Sequence, residues 1–377
     1  MRKNIKTNCE ITLRTNFLLN INRQLLQSSK SSILPKAISA KNFYREILKE
    51  GKSIMKKKKS WIIWALCFLL LATALPAVDF TEVQAASTST GFTGWKASGS
   101  KKYYYKNGKK LTGLHKLGKY YYGFASDGTM LTGWNRIHNR FRYFGKQTGR
   151  MRVNQTVNGR KIDSKGVWTP VVVLDPGHSA IVAGGYEALG PGSSQLKSKD
   201  TSGTQGVATG VEEYKLTLNI GLQLRTLLQK RGFKVVMTRT NSNVALSCID
   251  RAKIANKANA DAYVRIHANG SDSSSANGAM TICTTRNSPY ISSMYKKNKS
   301  LSNAVLNAYV SATGCRKEYI WETDSMTGNN WSKVPTTLIE MGYMSNPSED
   351  RRMQQTSYQK KMVRGIANGI ENYLVGQ

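Results

Sequence analysis

The chain has 377 residues and is 40% hydrophobic, which excludes disorder along its whole length and leaves room for more than one folded unit. Its 56 Lys and Arg against 22 Asp and Glu give a net charge of +34, and residues 87–167 alone carry +15. Such a basic chain favours polyanionic partners, and its five cysteines contain no CxxC pair that would indicate a cysteine-rich zinc module.

Residues 1–54 precede a methionine, Met55, and show no sustained hydrophobic periodicity. Lys49-Glu50-Gly51 can be encoded by AAG GAG G, a ribosome-binding sequence a few codons before Met55. We therefore predict that translation starts at Met55 and that residues 1–54 are an untranslated or disordered extension. The alternative is a translated cytoplasmic extension of a membrane protein.

Residues 55–86 are predicted to be a signal peptide. Lysines at 56–59 are followed by an apolar run of 14 residues, 61–74, and by a small-residue cleavage site at Val83-Gln84-Ala85-Ala86. The run is shorter than the roughly 20 residues that span a bilayer. The sequence therefore predicts a secreted protein that meets the membrane only during export, with a single membrane anchor as the alternative.

Residues 87–168 contain an internal repeat. Thr-Gly pairs recur every 19 to 20 residues, at 93–94, 112–113 and 132–133, and each is followed by an aromatic-rich run. Each unit is typical of a β-hairpin, with turns expected at Asn107-Gly108 and Asp127-Gly128. Because one hairpin buries little surface alone, we expect the units to stack into a solenoid-like module.

This Gly-Trp and Tyr-Tyr pattern resembles the choline-binding and glucan-binding repeats of Gram-positive surface proteins, in which aromatic side chains form cages. The resemblance implies choline-bearing or anionic wall polymers as partners. The candidate ligand residues are Trp95, Tyr104, Tyr121, Trp134 and Tyr143. Leu114 stands where the second unit would have Trp, and the aromatics could instead only fill a solenoid core. Because the chain is expected to be exported, no nucleic-acid partner is predicted.

From Pro170 the sequence alternates between apolar strands and helical segments. Strands are predicted at 171–174, 233–238, 262–268, 279–284 and 337–341, and helices at 216–228, 249–258, 301–310 and 357–374. Residues 169–377 are therefore predicted to form an α/β catalytic domain with a mainly parallel central sheet. Functional side chains in such sheets lie at the carboxyl ends of the strands.

Two histidines and two glutamates fall at such positions. His178 and His267 each follow or end an apolar strand, Glu340 interrupts another, and Glu213 begins the first helix. Catalytic zinc takes three protein ligands from His and carboxylate and keeps one position open, while a further carboxylate can move a proton. On spacing alone, an equally good interpretation is two ordinary histidines and one salt-bridged glutamate.

Four motifs in order resemble the zinc-dependent N-acetylmuramoyl-L-alanine amidases of the amidase-3 type, over residues 171–374. They are Asp175-Pro176-Gly177-His178, Glu213 with Leu216-Thr217-Leu218, Arg265-Ile266-His267-Ala268-Asn269 and Ile339-Glu340-Met341-Gly342-Tyr343-Met344-Ser345-Asn346. The resemblance implies one zinc ion on His178, Glu213 and His267, and Glu340 as the catalytic acid and base. It implies peptidoglycan as the substrate, cleaved between N-acetylmuramic acid and L-alanine, by a cell-wall-associated enzyme of Gram-positive type.

Three features of this half leave alternatives open. Glu212 adjoins Glu213 and is the alternative ligand. The Gly- and Ser-rich stretch between His178 and Glu213 is expected to be a long loop that shapes the cleft. The odd number of cysteines after the signal peptide leaves at least one unpaired within the chain; they are Cys248, Cys283 and Cys315.

Two other functions remain as alternatives to the amidase. The first is a non-catalytic wall-binding or adhesin protein, and the second is another zinc amide hydrolase that acts on wall polymers. An intact set of three ligands and one buried carboxylate favours the enzyme, because a buried carboxylate without a partner destabilises a fold.

Overall fold

The computed structural model describes residues 91–376 of the chain. The predicted extension at 1–54, the start at Met55 and the signal peptide at 55–86 lie outside the described residues. Within residues 91–376, no helix is both long enough and apolar enough to cross a membrane.

The first described segment is a row of antiparallel hairpins. Its strands are β1 Gly94–Ser98, β2 Lys101–Lys106, β3 Lys109–Lys110, β4 Gly113–Leu117, β5 Tyr120–Phe124, β6 Gly133–Ile137, β7 Arg140–Phe144, β8 Gln155–Val157 and β9 Arg160–Ile162. Strands β1–β2, β4–β5, β6–β7 and β8–β9 pair as hairpins, and β3 adds to β2. Main-chain hydrogen bonds join neighbouring hairpins: Met130 N donates to Lys102 O at 2.7 Å, and Met151 N to Tyr121 O at 2.8 Å.

The predicted turn at Asn107-Gly108 is confirmed, because it closes the antiparallel pair β2–β3. Asp127-Gly128 lies in the turn that follows β5, in the connection to the next hairpin. The tight turns inside the pairs β1–β2, β4–β5 and β6–β7 use Gly99, Gly118 and the pair His138-Asn139, which all have positive φ. Two-residue hairpin turns need such a backbone, which glycine adopts without strain and which asparagine tolerates.

The second segment is built on a six-stranded sheet in the order β13-β10-β14-β17-β15-β16. Its strands are β10 Val171–Pro176, β13 Lys234–Met237, β14 Ala262–Asn269, β15 Ala279–Cys283, β16 Lys317–Glu322 and β17 Thr336–Tyr343, and a separate ribbon is formed by β11 Tyr186–Ala188 and β12 Leu196–Ser198. Four strand pairs are parallel, and β15 pairs with β17 antiparallel. The sheet is therefore mainly parallel, as expected, and is mixed because of the antiparallel pair β15–β17.

Helices cover both faces of this sheet. They are α1 Glu213–Lys230, α2 Cys248–Lys257, α3 Tyr295–Thr313, α4 Thr327–Asn330, α5 Pro347–Met353 and α6 Thr356–Val375, with a 3₁₀ turn at Ser292–Met294. Because successive strand residues point to opposite faces, Val172 and Leu174 pack in the core formed by α1, α3 and α6. Val173 packs on the other face, in the cluster that includes Ala255 of α2. Burial on both faces explains why these strands are continuous apolar runs.

The last two hairpins share a hydrophobic core with the α/β domain. Trp134, Phe141, Ile162 and Trp168 belong to the same buried cluster as Val172, Leu228, Phe233 and Tyr373. The rings of Phe141 and Phe233 lie 4.7 Å apart. At the rim, Arg136 Nε lies 2.7 Å from Glu371 Oε1, and Arg160 Nη1 donates to Leu374 O at 2.7 Å. Packing is therefore continuous across residue 168, where the sequence suggested a domain boundary.

Candidate metal centre and catalytic cleft

Three strands and one helix bring the predicted site residues to one edge of the sheet. His178 follows the end of β10, His267 lies near the end of β14, and Glu340 lies beside His267 in the parallel register of β14 and β17. Glu213 is the first residue of α1. The carboxyl ends of parallel strands meet at one edge, which is why residues up to 162 positions apart in sequence converge here.

The side chains of His178, Glu213 and His267 form a compact cluster. One possible ligand atom from each residue lies within 4.8 Å of the others. Glu213 Oε2 is 3.3 Å from His178 Nε2, and Glu213 Oε1 is 3.1 Å from His267 Nδ1. The neighbouring Glu212 instead pairs with Lys215 at 2.8 Å on the surface. The structure thus brings Glu213, and not Glu212, to the two histidines.

The protonation states of this cluster suit a metal ion. Burial lowers the pKa of His267 to about 4, which leaves a neutral imidazole. Burial opposes ionisation of Glu213, but hydrogen bonds with His178 and His267 outweigh it and hold its pKa below the usual range. Nε2 of His267 is buried and has no hydrogen-bond partner among residues 91–376. An orphaned imidazole nitrogen beside a carboxylate and a second imidazole fits the donor set of a catalytic zinc site.

The pKa of His178 is raised despite its burial, because its hydrogen bond to Glu213 and the charge of that carboxylate outweigh desolvation. The same negative charge that favours a proton on His178 attracts a metal cation, and metal binding displaces such protons. Nδ1 of His178 lies 2.8 Å from Thr201 O, which fixes the orientation of the ring.

The loop that carries His178 has a constrained backbone. His178 adopts a left-handed conformation with φ of 59°. A Cβ atom on the preceding residue, Gly177, would collide with the ring of His267, so only glycine allows the loop to approach the second histidine. These two facts explain the Gly-His step in the Asp-Pro-Gly-His motif.

A buried ionic network around Asp175, at the end of β10, supports this loop. Asp175 accepts hydrogen bonds from Arg251 Nη1 at 2.9 Å, Arg265 Nε at 3.1 Å and Tyr263 Oη at 3.0 Å. Burial would raise the pKa of Asp175, but the charges of Arg251 and Arg265 outweigh it and hold the pKa below its usual range. Arg239 extends the network by donating to the carbonyls of Pro176 and Gly177 at 2.9 Å.

The three arginines of this network, Arg239, Arg251 and Arg265, were not among the predicted site residues. Asp175 binds two of them, Arg251 and Arg265, directly. The sequence pattern that could have indicated such a residue is a charge inside an apolar strand, as in Tyr263-Val264-Arg265-Ile266. A charge buried in this way needs a partner of opposite sign. The sequence does not indicate which carboxylate is that partner.

Glu340 lies in the same cleft without a partner of its own. Its Oε2 atom is buried and makes no hydrogen bond within the described part of the chain. Burial raises the pKa of Glu340 well above its ordinary value, and the negative charge of Glu213 raises it further. Glu340 lines a cavity of about 220 Å³ together with His178, His267 and Arg265. A carboxyl group with a raised pKa in a cleft is the usual arrangement for proton transfer.

The long stretch before Glu213 is not a plain loop. It contains the ribbon β11–β12, and Lys197, Ser198, Asp200 and Thr201 form one wall of the cleft. The expectation that this stretch shapes the cleft agrees with its position, while its regular structure escaped the sequence analysis because both strands are only three residues long.

The five predicted wall-ligand aromatics do not form one site. Trp134 is only 4% exposed and packs in the shared core beside Tyr143 and Trp168, so its assignment as a surface ligand was wrong. Trp95 is 43% exposed and stacks edge-on with Tyr104. Tyr121 is also exposed.

A second cavity, of about 470 Å³, lies between the hairpins. Trp95, Tyr122, Lys102 and Arg150 are among the residues that line it. Of the five predicted ligand residues only Trp95 contributes to it, and Tyr122 was missed. Elsewhere in the described chain, Cys248, Cys283 and Cys315 are free thiols.

Comparison with known proteins agrees with this architecture. The family described as N-acetylmuramoyl-L-alanine amidase, Amidase_3, matches residues 172–372. An N-acetylmuramoyl-L-alanine amidase of Mycobacterium tuberculosis is 25% identical over 215 residues, which cover 55% of this chain and 87% of that protein. The amidase LytC of Bacillus subtilis is 28% identical over 169 residues, which cover 44% of this chain but only 32% of LytC.

A crystal structure of the amidase Ami1 from Mycobacterium abscessus shares 26% identity and a TM-score of 0.50, over 54% of this chain and 98% of that one. The match of the family to more than half of the chain includes all four residues that converge at the sheet edge. The chain therefore belongs to the N-acetylmuramoyl-L-alanine amidase family, and its α/β domain is an enzyme of that type.

Proposed function

We propose that the protein is an exported peptidoglycan hydrolase that uses one zinc ion to cleave the amide between N-acetylmuramic acid and L-alanine. The observation that carries this proposal is the cluster of His178, Glu213 and His267 beside the unpartnered carboxyl of Glu340. Three ligands and a separate proton carrier in one cleft are the parts that metal-assisted amide hydrolysis requires.

His178, Glu213 and His267 would hold the metal, with lone pairs supplied by two imidazoles and one carboxylate. A zinc ion held there would lower the pKa of an attacking water and polarise the scissile carbonyl. Arg251 and Thr201 keep the His178 loop and ring in place through contacts with the His178 carbonyl and Nδ1. The residues thus arrive in position before substrate does, which lowers the cost of reaching the transition state.

Glu340 is the group that moves the proton. In the described protein its pKa is raised by burial and by the negative charge of Glu213. With that charge offset by a metal cation on Glu213, the pKa of Glu340 would return toward the range of a general base. Glu340 then accepts a proton from the attacking water and returns it to the leaving amino group of L-alanine.

The direct test is mass analysis of the products from purified peptidoglycan, with and without a chelator. Cleavage of the proposed bond releases peptides with a free N-terminal alanine and leaves the glycan chains intact. Glu213→Gln and His267→Ala should abolish both stoichiometric zinc binding and product formation. Glu212→Gln is the matched control, because Glu212 is the adjacent carboxylate but lies on the surface. Full zinc binding by the His267→Ala protein would contradict the ligand assignment.

The same experiment distinguishes the two alternatives. Another zinc amide hydrolase would release acetate or cut within the stem peptide, and a non-catalytic wall-binding protein would give no new product. The zinc-ligand cluster and the lone Glu340 carboxyl favour catalysis over binding alone, because an unpaired buried carboxyl costs stability.

For residues 87–168 we propose a wall-binding role with an anionic polymer as the ligand. Lys102 and Arg150 line the cavity beside Trp95 and Tyr122, and no carboxylate is among the lining residues. Cations in that position repel the quaternary ammonium of choline, whereas a polymer with phosphate or carboxylate groups is attracted. Retention on isolated walls should fall with salt and resist free choline.

Trp95→Ala should weaken this retention more than Tyr121→Ala, because only Trp95 lines the cavity although both side chains are exposed. Elution of the protein by free choline at low salt would contradict the anionic ligand. Export is tested separately by sequencing the N-terminus of the wall-associated protein, which should begin at residue 87.

A further inference from the structure

The ribbon β11–β12 is firmly attached to the α/β domain at the side of the cleft. The Glu187 carboxylate accepts a hydrogen bond from Ile249 N at 3.2 Å, in the first turn of α2. Trp331 Nε1 donates to Ala188 O at 2.9 Å, and Cys248 N donates to Lys199 O at 2.9 Å. Contacts on β11 and on the residue just after β12 hold the ribbon against the domain, so side chains on its cleft side have defined positions.

Lys197 lies on this ribbon directly opposite Glu187 and lines the catalytic cavity. Its ammonium group donates a hydrogen bond to Ser325 O at 2.6 Å, next to Met326 and Thr327, which also line the cavity. The side chain is therefore held at the cavity wall. An ammonium group has three N–H donors, and only one of them is used here among residues 91–376.

Lys197 is also the exposed cation of the cleft. The other cations that line the cavity, Arg251 and Arg265, are buried and paired with Asp175. Within the described residues, no carboxylate lies within ion-pair distance of Lys197. The remaining charged side chains of the cavity wall are the carboxyl groups of Asp200 and Glu340, which repel anions.

We propose that Lys197 binds a free carboxylate on the peptide side of the scissile amide and makes the enzyme prefer acidic stem peptides over amidated ones. This inference rests on the proposed amidase activity. The hydrogen bond to Ser325 holds the ammonium at the cavity wall before substrate arrives, which reduces the entropy lost on binding. The two unused N–H donors supply charge-assisted hydrogen bonds to a carboxylate.

The test compares two soluble muropeptides that differ in one group, a free carboxylate or the corresponding amide on the stem residue next to L-alanine. The wild-type holoenzyme should cleave the carboxylate form with a kcat/KM about tenfold higher, as expected for one hydrogen bond to a charged group. Lys197→Gln should remove this preference by slowing cleavage of the acidic form alone, and Lys197→Arg should retain most of it.

Lys199→Gln is the matched control, because it removes the same charge from the same ribbon but does not line the cavity. Binding of both muropeptides to Glu340→Gln holoenzyme, measured by calorimetry, provides a second measurement that does not require turnover. Equal kcat/KM for the two muropeptides in the wild type, together with equal Kd in the Glu340→Gln holoenzyme, would overturn the role of Lys197 while leaving the amidase activity intact. Failure to cleave either muropeptide or whole peptidoglycan would overturn the proposed function itself.

Discussion

Arg251 and His178 are connected through the main chain: Arg251 Nη2 donates to the His178 carbonyl at 3.1 Å. The same guanidinium binds Asp175 Oδ1 at 2.9 Å and the Pro176 carbonyl at 2.9 Å. A left-handed residue other than glycine costs about 1–3 kcal/mol, so the His178 conformation needs such support. Arg251 thus links the buried ionic network around Asp175 to the backbone of His178, a proposed metal ligand.

Arg251→Lys should weaken zinc binding. Lysine keeps the charge but has one nitrogen in place of the two, Nη1 and Nη2, that bind Asp175 and the His178 carbonyl, so the planar two-nitrogen geometry is lost. We expect zinc affinity to fall about 10- to 100-fold, as for other residues that orient metal ligands, and stability to fall by about 1–3 kcal/mol. Competition with a chromogenic chelator measures the first quantity and urea unfolding the second.

Arg364→Lys is the control for this substitution, because Arg364 is exposed on α6. It should change neither quantity. If Arg251→Lys lowered stability but bound zinc with wild-type affinity, Arg251 would support the fold without positioning His178.

Asp175→Asn should destabilise the protein by about 3–5 kcal/mol at neutral pH, because Arg251 and Arg265 would remain charged and buried without their partner. Since the folded-state pKa of Asp175 lies below the value of about 3.9 in the unfolded chain, its contribution is fully present above pH 4. Below about pH 4 only the unfolded state takes up the proton, so the contribution falls by about 1.4 kcal/mol per pH unit. The difference between wild type and variant, measured by urea unfolding from pH 7 to 3, should therefore narrow at the acid end.

Asp261→Asn is a control of opposite sign. Burial raises the pKa of Asp261 above its value in the unfolded chain. The contribution of this carboxyl to the free energy of unfolding therefore falls as the pH rises through the unfolded-state pKa. The difference between wild type and this variant should shift in the reverse direction over the same range. A constant difference for Asp175→Asn across the whole range would show that its charge is not what the arginines recognise.

The strands that carry the proposed site residues could be predicted because they are buried on both faces. A buried parallel strand is a continuous apolar run, and an interrupting Glu340 or a terminal His178 is then conspicuous. Strand β16 was not predicted for the opposite reason. It is an edge strand in which Tyr319 and Trp321 are exposed, while the alternate residues Glu318 and Glu322 are partly buried and bind Tyr343 and Lys299.

Trp95 and Trp134 show a second limit of sequence reasoning. Both occupy the position after the Thr-Gly pair of their repeat, yet Trp95 is 43% exposed and Trp134 is 4% exposed. The difference arises because only the third and fourth hairpins pack on the α/β domain, where Trp134 contacts Trp168. A repeat pattern predicts the fold of each unit. It does not predict the burial of a side chain, which here depends on the neighbouring unit or domain.

This shared core predicts unequal effects of two truncations. A chain that begins at residue 169 loses Trp134, Phe141, Ile162 and Trp168 from the core and exposes Phe233. Each such buried side chain contributes about 1.5–3 kcal/mol, so we expect a loss of several kcal/mol. A chain that begins at residue 132 keeps these contacts and should melt at a distinctly higher temperature. Both are compared by thermal melting and by cleavage of soluble muropeptides, and equal melting temperatures would contradict a structural role for the last two hairpins.

Glu340→Gln should separate metal binding from proton transfer. The amide has almost the same shape and does not belong to the cluster of His178, Glu213 and His267, so zinc should bind with wild-type stoichiometry. Gln cannot accept and return a proton, and general acid–base catalysis contributes about 10²- to 10⁴-fold, so kcat should fall by at least that factor. The control is Glu322→Gln, because Glu322 lies on β16 and pairs with Lys299 outside the cleft.

The other carboxylates that could replace Glu340 are already engaged. Glu212 pairs with Lys215, and Glu318 accepts a hydrogen bond from Tyr343 Oη at 2.9 Å; neither lines the catalytic cavity. A Glu340→Gln protein that binds zinc and keeps near-wild-type kcat would therefore mean that the proton reaches the leaving amine through solvent or through Asp200, the other carboxyl group of the cavity wall. In that case the raised pKa of Glu340 would reflect only its burial beside Glu213 and would have no catalytic role. The assignment of the three metal ligands would not be affected.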